Sequence, residues 1–307
     1  MREQTHLKAV SFCAAVVLFC SAYSLASTWQ TLDKPGASET HAYGINSGNI
    51  VGWYNQSGAD HGFRYDGSTW TAIEVPGARN TYAQGISGNK IVGYCNSQTY
   101  NHMGFLYDGS NWTTFSAPGA EMTFAYAIEG SNIVGRYQDA ASGNYYGFLY
   151  NGSTWTTLNA PGAIQTEASG ISNGKIYGYY QDSSQFCHGF IYDGTTWTTL
   201  NVPSGGGDGN TPAGGETFVF DGDGSNIVGY YTDLNYNEQG FLYNGSTWSN
   251  LDMPGAIQTG PTGIFGDKIV GTYVDSSYQS HSFVYTIPEP ATLLLLGFGA
   301  AVVVRKR

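Results

Sequence analysis

The sequence predicts an all-β protein, a six-bladed β-propeller of four-stranded antiparallel blades, and three observations predict it. Tryptophans at 29, 70, 112, 155, 197 and 248 recur at spacings of 41, 42, 43, 42 and 51 residues, and a period of that length marks a repeat architecture. Each unit holds four short strand-like phrases separated by turn residues. The repeat is also out of phase with the chain, so that its first and last phrases are two parts of one unit.

The second unit shows the elements in order: Ala83-Gln84-Gly85-Ile86, Ile91-Val92-Gly93-Tyr94, Gly104-Phe105-Leu106-Tyr107 and Trp112-Thr113-Thr114-Phe115. Between the first two phrases stands Ser87-Gly88-Asn89-Lys90, and between the last two Asp108-Gly109-Ser110-Asn111, the residue types that tight hairpins require. Short aromatic and β-branched strands without a long polar face suit sheets covered on both sides by their neighbours, as propeller blades are. Pro-Gly-Ala phrases at Pro35, Pro76, Pro118, Pro161 and Pro254 punctuate the crossings between units, where proline ends a strand and glycine turns the chain.

The body opens on a lone outer-strand phrase, Thr28 to Leu32, and ends on Ser282-Phe283-Val284-Tyr285, an unpaired third strand. Five blades are therefore expected to be continuous, at about 42–73, 83–115, 125–158, 168–200 and 217–251, with the sixth joining 262–285 to 28–32. Closure of this kind removes the sheet edges that invite aggregation. An open β-solenoid is the competing architecture.

Composition agrees with many short strands. The 307 residues include 43 glycines and 24 tyrosines against 4 methionines, so positive-φ turns and pleated aromatic surfaces outweigh helix. With 41% hydrophobic and 11% charged residues the chain has the means to bury a core and is not an acidic disordered polymer. Between residues 27 and 287 stand 7 basic and 21 acidic residues, a net charge of −14, and no basic patch of the kind that phosphate neutralisation needs. Nucleic acid is excluded as a partner, and the acidity is read as solubility of a secreted domain. Of the four cysteines only Cys95 and Cys187 belong to this body, which is no disulfide framework, and no CxxC or Cys/His cluster suggests zinc.

The two ends carry addresses. Residues 1–26 read as a secretory signal: Arg2 and Lys8, an apolar run from Ala9 to Cys20, then Ser24-Leu25-Ala26 with small residues at −3 and −1, so cleavage is expected after Ala26 by signal peptidase following Sec export. Phe19 before Cys20 argues against a lipoprotein site. At the other end Pro288-Glu289-Pro290 precedes the apolar stretch Ala291 to Val304 and the basic Arg305-Lys306-Arg307. Fourteen apolar residues fall short of the roughly 20 of a comfortable span, yet a basic stop can hold such a helix in a bilayer transiently, its charged end cytoplasmic. This three-part ending resembles the PEP-CTERM sorting signal of Gram-negative bacteria, with Ile287 where that family more often has valine. The resemblance implies recognition by an inner-membrane exosortase, release to the cell surface, and a setting of exopolysaccharide production. The domain plan is thus 1–26 signal, 27–286 propeller, 287–307 sorting tail.

The phrases His61-Gly62-Phe63, His188-Gly189-Phe190 and Ile91-Val92-Gly93 also resemble the extracellular HAF repeats of bacterial surface proteins, with glycine in place of alanine. That family carries no defined activity to this chain.

Four carboxylates are candidates for a ligand face: Asp139, Asp182, Asp233 and Asp275 fall at one position in the loops after the second strands, where an acidic ring suits a cation or a hydroxyl-rich sugar, and where a turn residue capping its own loop is the plainer reading. His61, His102, His188 and His281 precede the third strand, with Tyr146 and Gln239 in the remaining blades. Such repetition points to a structural role, because a general base breaks the symmetry of its scaffold. The fifth unit alone departs from the pattern. A glycine-rich insertion spans Ser204 to Gly215, and Asp221-Gly222-Asp223-Gly224 resembles a fragment of a calcium loop without the EF-hand spacing or its terminal glutamate. Asp221 and Asp223 are the candidate calcium ligands, and no other cofactor is expected.

No Gly-x-Ser-x-Gly, HExxH or phosphate loop is present. The expectation is a non-catalytic surface or matrix protein that binds exopolysaccharide or another envelope component through aromatic loop faces. The alternatives are a secreted glycan hydrolase or lyase with an acidic pair near the fifth-blade insertion, and a structural spacer without ligand.

Overall fold

The computed structural model describes residues 28–96, 101–203, 215–232 and 237–288. The expected signal segment, the tail after 288, most of the insertion at 204–214 and Asp233 lie outside the described residues.

Within them the chain forms 24 strands and no helix. β1 (Thr28–Thr31) stands alone at the start. The first blade is β2 (Glu39–Asn46), β3 (Asn49–Gln56), β4 (Ala59–Tyr65) and β5 (Trp70–Ile73), and the second β6 (Asn80–Ser87), β7 (Lys90–Asn96), β8 (His102–Tyr107) and β9 (Trp112–Phe115). The third is β10 (Ala120–Glu129), β11 (Asn132–Asp139), β12 (Tyr145–Tyr150) and β13 (Trp155–Leu158), and the fourth β14 (Ala163–Ser172), β15 (Lys175–Asp182), β16 (Cys187–Tyr192) and β17 (Trp197–Leu200). The fifth is β18 (Thr217–Asp223), β19 (Asn226–Thr232), β20 (Glu238–Tyr243) and β21 (Trp248–Asn250), and the last three strands are β22 (Gln258–Phe265), β23 (Lys268–Val274) and β24 (Ser280–Thr286). Each blade is a separate four-stranded antiparallel sheet, and the sixth runs β22-β23-β24-β1, with Trp29 opposite Tyr285 and Thr31 opposite Phe283. The sheets are those of a six-bladed propeller closed by the N-terminal strand, not of a solenoid.

Apart from the fifth, which begins at Thr217 as expected, the inner strands begin earlier than the hydrophobic phrases suggest, the second at Asn80 instead of Ala83, because a polar residue anchors each start. Thr40, Thr81, Thr123, Thr166, Thr217 and Thr259 are all buried, and their Oγ1 atoms accept the backbone N–H of Lys34, Val75, Ala117, Ala160, Val202 and Met253 at 3.0–3.1 Å. Each bond ties an inner strand to the crossover that leads into it, satisfying a buried donor.

The Ile-Val-Gly and Gly-Phe phrases make the core between them. Phe63, Phe105, Phe148, Phe190, Phe241 and Phe283 are essentially inaccessible, each contributing on the order of 2 kcal/mol by burial. Every cluster is shared between neighbouring blades: Val51 of the first packs with Ala83, Ile86, Ile91 and Phe105 of the second, and the pattern continues round to Val270 of the sixth against Ala42, Ile45, Ile50 and Phe63 of the first. At one joint two residues depart from the repeat together. Tyr177 stands where other blades have valine, and Gly222 where they have isoleucine; a Cβ on Gly222 would lie 2.6 Å from the Tyr177 ring, so the missing side chain makes room for the larger one.

The outer hairpins repeat a single device. Asp66, Asp108, Asn151, Asp193 and Asn244 accept the backbone N–H groups two and three residues on through Oδ1, and the preceding tyrosine packs on the blade's tryptophan. Trp29 and Tyr285 reproduce that pair across the closing seam, ring centres 4.6 Å apart.

Candidate functional site: an aromatic cavity on the propeller axis

The aspartates of the second-to-third-strand loops are engaged by those loops. Asp139 Oδ1 accepts Ser142 N–H at 2.8 Å and the Ser142 hydroxyl at 2.7 Å, Asp182 Oδ1 accepts the N–H groups of Ser184 and Phe186, and Asp275 Oδ1 those of Ser277 and Gln279. These bonds hold all three carboxyls below their ordinary pKa. The histidines pack inside their blades: His61, His188 and His281 lie against Tyr54, Tyr180 and Tyr273 and pair with Glu74, Asp182 and Asp33. His102 does not share their position: Met103 holds it in the second blade, and His102, one residue earlier and so on the other face of the strand, leans on Tyr94 and on Phe124 of the third blade, its Nδ1 buried and unpartnered.

A different set of residues meets on the axis. β10 and β14 each slip register once near their starts, and every inner strand slips at one shared place, between Ala42 and Gly44, Ala83 and Gly85, Ala125 and Ala127, Ala168 and Gly170, Val219 and Asp221, Pro261 and Gly263. The skipped residue is Tyr43, Gln84, Tyr126, Ser169, Phe220 or Thr262. A bulge frees a residue from the ladder and re-aims it. All six line an axial cavity of about 220 Å³ together with Tyr94, Arg136, Glu167 and Tyr179, so every blade supplies wall.

Arg136 and Glu167 are its charged pair. Arg136 Nη1 donates to Glu167 Oε2 at 2.6 Å, and the guanidinium carbon lies 4.6 Å from the Tyr145 ring and 5.2 Å from that of Phe124. The Glu167 side chain is only 10% exposed. Burial raises the pKa of Tyr126 and Tyr179, and Glu167's charge raises them further, so these phenols stay neutral donors. Around the pair runs a girdle of rings. His41 stacks on Trp53, Trp53 meets Tyr82, Tyr82 stacks on Tyr94 and Tyr94 meets Phe124 on one side; on the other, Tyr179 meets Phe218 and Phe218 stacks on Tyr230. The sixth blade has Gly260 and Thr272 at these places and leaves the girdle open. A neighbouring cavity of about 230 Å³, lined by Tyr145, Gln165, Gln181, Cys187 and Phe218 among others, shares Arg136, Glu167 and Tyr179 with the axial one.

Sequence reasoning missed these residues. A signal existed in the repeat itself: the residue after each Ile-Val-Gly or its equivalent reads Trp53, Tyr94, Arg136, Tyr179, Tyr230, Thr272, changing from blade to blade while the residue before it is always glycine and the one after it is tyrosine in all but the second.

Beyond β24 the chain reaches its C-terminal segment. Residues 286–307 match the PEP-CTERM protein-sorting motif. The PEP-CTERM motif marks the protein for export, and Pro288, Glu289 and Pro290 fall within it. It begins with no spacer after the body: β24 ends at Thr286, the N–H of Ile287 donates to the Asp267 carbonyl at 2.8 Å, and Pro288 is exposed.

No curated protein sequence matches the chain. Among solved structures the chain is similar to the six-bladed lectin of Aleuria aurantia, described by its fucose recognition mode, at 16% identity over 85% of this chain and 98% of that one, TM-score 0.47. It is similar to TolB of Acinetobacter baumannii at 14% identity over 81% and 54%, TM-score 0.49, and to the Trypanosoma rangeli sialidase at 8% identity over 88% and 60%, TM-score 0.49.

The fifth-blade acids lie at the hairpin end of the axis, beside a third cavity of about 230 Å³. Asp221 Oδ2 accepts the Ile264 N–H at 3.0 Å and Asp223 Oδ2 the Gly266 N–H at 2.7 Å, so both fasten the fifth blade to the sixth. Burial pushes the Asp221 carboxyl up to about 7. Among the described residues no group of three or more His, Cys, Asp or Glu is placed to hold a metal ion.

Proposed function

We propose that this exported protein acts at the cell surface or in the extracellular matrix as a non-catalytic binder of exopolysaccharide or another envelope glycan, with the axial cavity as its site. The observation that carries the reading is the cavity's chemistry: aromatic rings around one Arg–Glu pair, its glutamate buried and its arginine half-buried. Ring faces pack on the C–H faces of sugars, while a carboxylate and a guanidinium accept from and donate to hydroxyls. Delivery would use the Sec translocon and signal peptidase, then an exosortase acting on the PEP-CTERM tail while its short helix holds the chain in the inner membrane. Asp139, Asp182 and Asp275 would border the loop face without carrying the affinity.

The test is calorimetric titration of the purified protein with the producing organism's own exopolysaccharide, alongside a glycan array. Binding that is lost in Glu167→Ala and kept in Asp182→Ala is expected. No retention at millimolar sites overturns the proposal.

One observation favours a second reading, a glycan hydrolase or lyase: Asp221 is a half-buried residue whose carboxyl, raised by desolvation to about 7, lies beside a cavity, the state a general acid requires. Depolymerisation of the same polysaccharide, abolished by Asp221→Asn, decides for it.

A further inference from the structure

We infer that the axial cavity takes the end of a neutral glycan in preference to an acidic one, and that Gln84 and Arg136 recognise its hydroxyl groups. This rests on the glycan-binding reading above and sharpens it to a sugar class and a mode of entry.

Among the described residues, three buried side-chain polar atoms have no hydrogen-bond partner, and two of them, Gln84 Nε2 and Arg136 Nε, belong to residues lining this one cavity. Gln84 is 6% exposed and sits at a bulge, where strand pairing cannot use it. Native interiors rarely leave such donors unpaired, and a site that does so discriminates for ligands able to pair them. A hydroxyl group fits this set, because it accepts from the amide and the guanidinium and donates to Glu167.

Charge decides between neutral and acidic sugars. The Arg136 cation is already met by Glu167 at 2.6 Å, so it offers no free positive charge to a uronate. At Tyr126 and Tyr179 the negative potential of Glu167 outweighs the opposing one of Arg136, and at Tyr43 it acts together with that of Glu39, so the balance across the cavity is negative. An acidic sugar would meet that charge in a partly desolvated space.

Shape decides the mode of entry. Walls from all six blades enclose the cavity, so a polysaccharide cannot lie across it and enters along the axis, end first. A volume of about 220 Å³ is below the roughly 300–1,000 Å³ of drug-sized sites and suits a single sugar unit.

The experiment is titration of the full-length protein with neutral hexose oligosaccharides and with uronate oligosaccharides of equal length, each with free and with chemically blocked non-reducing ends. The expected result is binding of the free-ended neutral series, weakened about tenfold or more by Gln84→Met and by Arg136→Lys at unchanged melting temperature, and a shift of preference towards uronates in Glu167→Gln. Equal or tighter binding of uronates, or indifference to end blocking, overturns this inference and leaves the glycan-binding reading standing. So does neutral-sugar binding that Gln84→Met leaves intact; should Arg136→Lys fail to fold, Gln84→Met alone carries the test. Absence of binding by every sugar overturns both.

Discussion

Gly93 faces its neighbouring strand so closely that an added Cβ would lie 2.0 Å from the Tyr82 carbonyl oxygen and 2.8 Å from the Phe105 ring, and the equivalent glycine is pinned in the same way in every blade. Neither obstacle is a flexible side-chain end. Gly93→Ala is expected to lower stability by about 3 kcal/mol, read in denaturant unfolding, and an unchanged midpoint would mean that the inner strand can slide. His102 has an opposite lesson, since its trouble is charge and not volume. Burial depresses its pKa below the ordinary 6.5, and its Nδ1 has no partner, so the unfolded chain takes up the proton first as pH falls. Its contribution is present above the ordinary histidine pKa and is lost as the pH falls from that value through the lower folded one. Melting temperature followed from pH 7.5 to pH 5 should therefore drop more steeply for the native protein than for His102→Tyr, which installs the residue type that the third blade carries at this place, Tyr145. Parallel profiles would remove His102 as the cause.

In each inner strand a threonine fixes the start and a bulge fixes the aim. Thr81→Val removes the acceptor of the buried Val75 N–H and is expected to cost about 2 kcal/mol, whereas Thr81→Ser should recover most of it; equal losses in both variants would assign the effect to packing and not to the hydrogen bond. Strands and hairpins were legible because their causes are local: Asp108-Gly109-Ser110-Asn111 contains its own turn, and Ile91-Val92-Gly93 its own pleat. The bulge at Gln84 was not, because a residue skipped by the ladder differs from its neighbours only in how a partner strand pairs with them. The Arg136–Glu167 pair was hidden by distance as well, 31 residues apart and on different blades. Asp221-Gly222-Asp223 was singled out as a departure from the repeat, but its glycine answers Tyr177, 45 positions earlier, and its carboxylates bind backbone of the next blade, neither of which the phrase itself reveals.

Each blade covers its neighbour's core, so the stability of the ring depends on the sixth blade, the one sheet that no continuous chain makes: β22 to β24 meet the first blade with no chain link between them, and the chain crosses that joint only from β1. At that joint the hydrophobic share is Val270 against the first-blade cluster, and the polar share is unusual. Ser282 stands where the other five blades have glycine, fully buried, its hydroxyl donating to the Thr40 carbonyl at 2.7 Å and accepting the Ala42 N–H at 2.8 Å. Thr262 donates to the Ala42 carbonyl, and Asp33 pairs with His281. β1 completes the joint by covering Phe283 and Tyr285 with Trp29 and by delivering the Leu32 N–H to the Ser282 carbonyl. Deleting Thr28 to Leu32 should therefore lower the melting temperature of the whole body, not of one blade, and amide exchange should rise first in β22 to β24 and in β2, on the two sides of the opened seam. Ser282→Gly, which restores the repeat's own residue, tests the polar share alone: it is expected to cost about 2 kcal/mol and to raise exchange at the same two sides with β1 still in place. A deletion variant that melts as the native protein does would show that five blades and a three-stranded sixth are self-sufficient, and the closing strand would then be protection of an edge and not a source of stability.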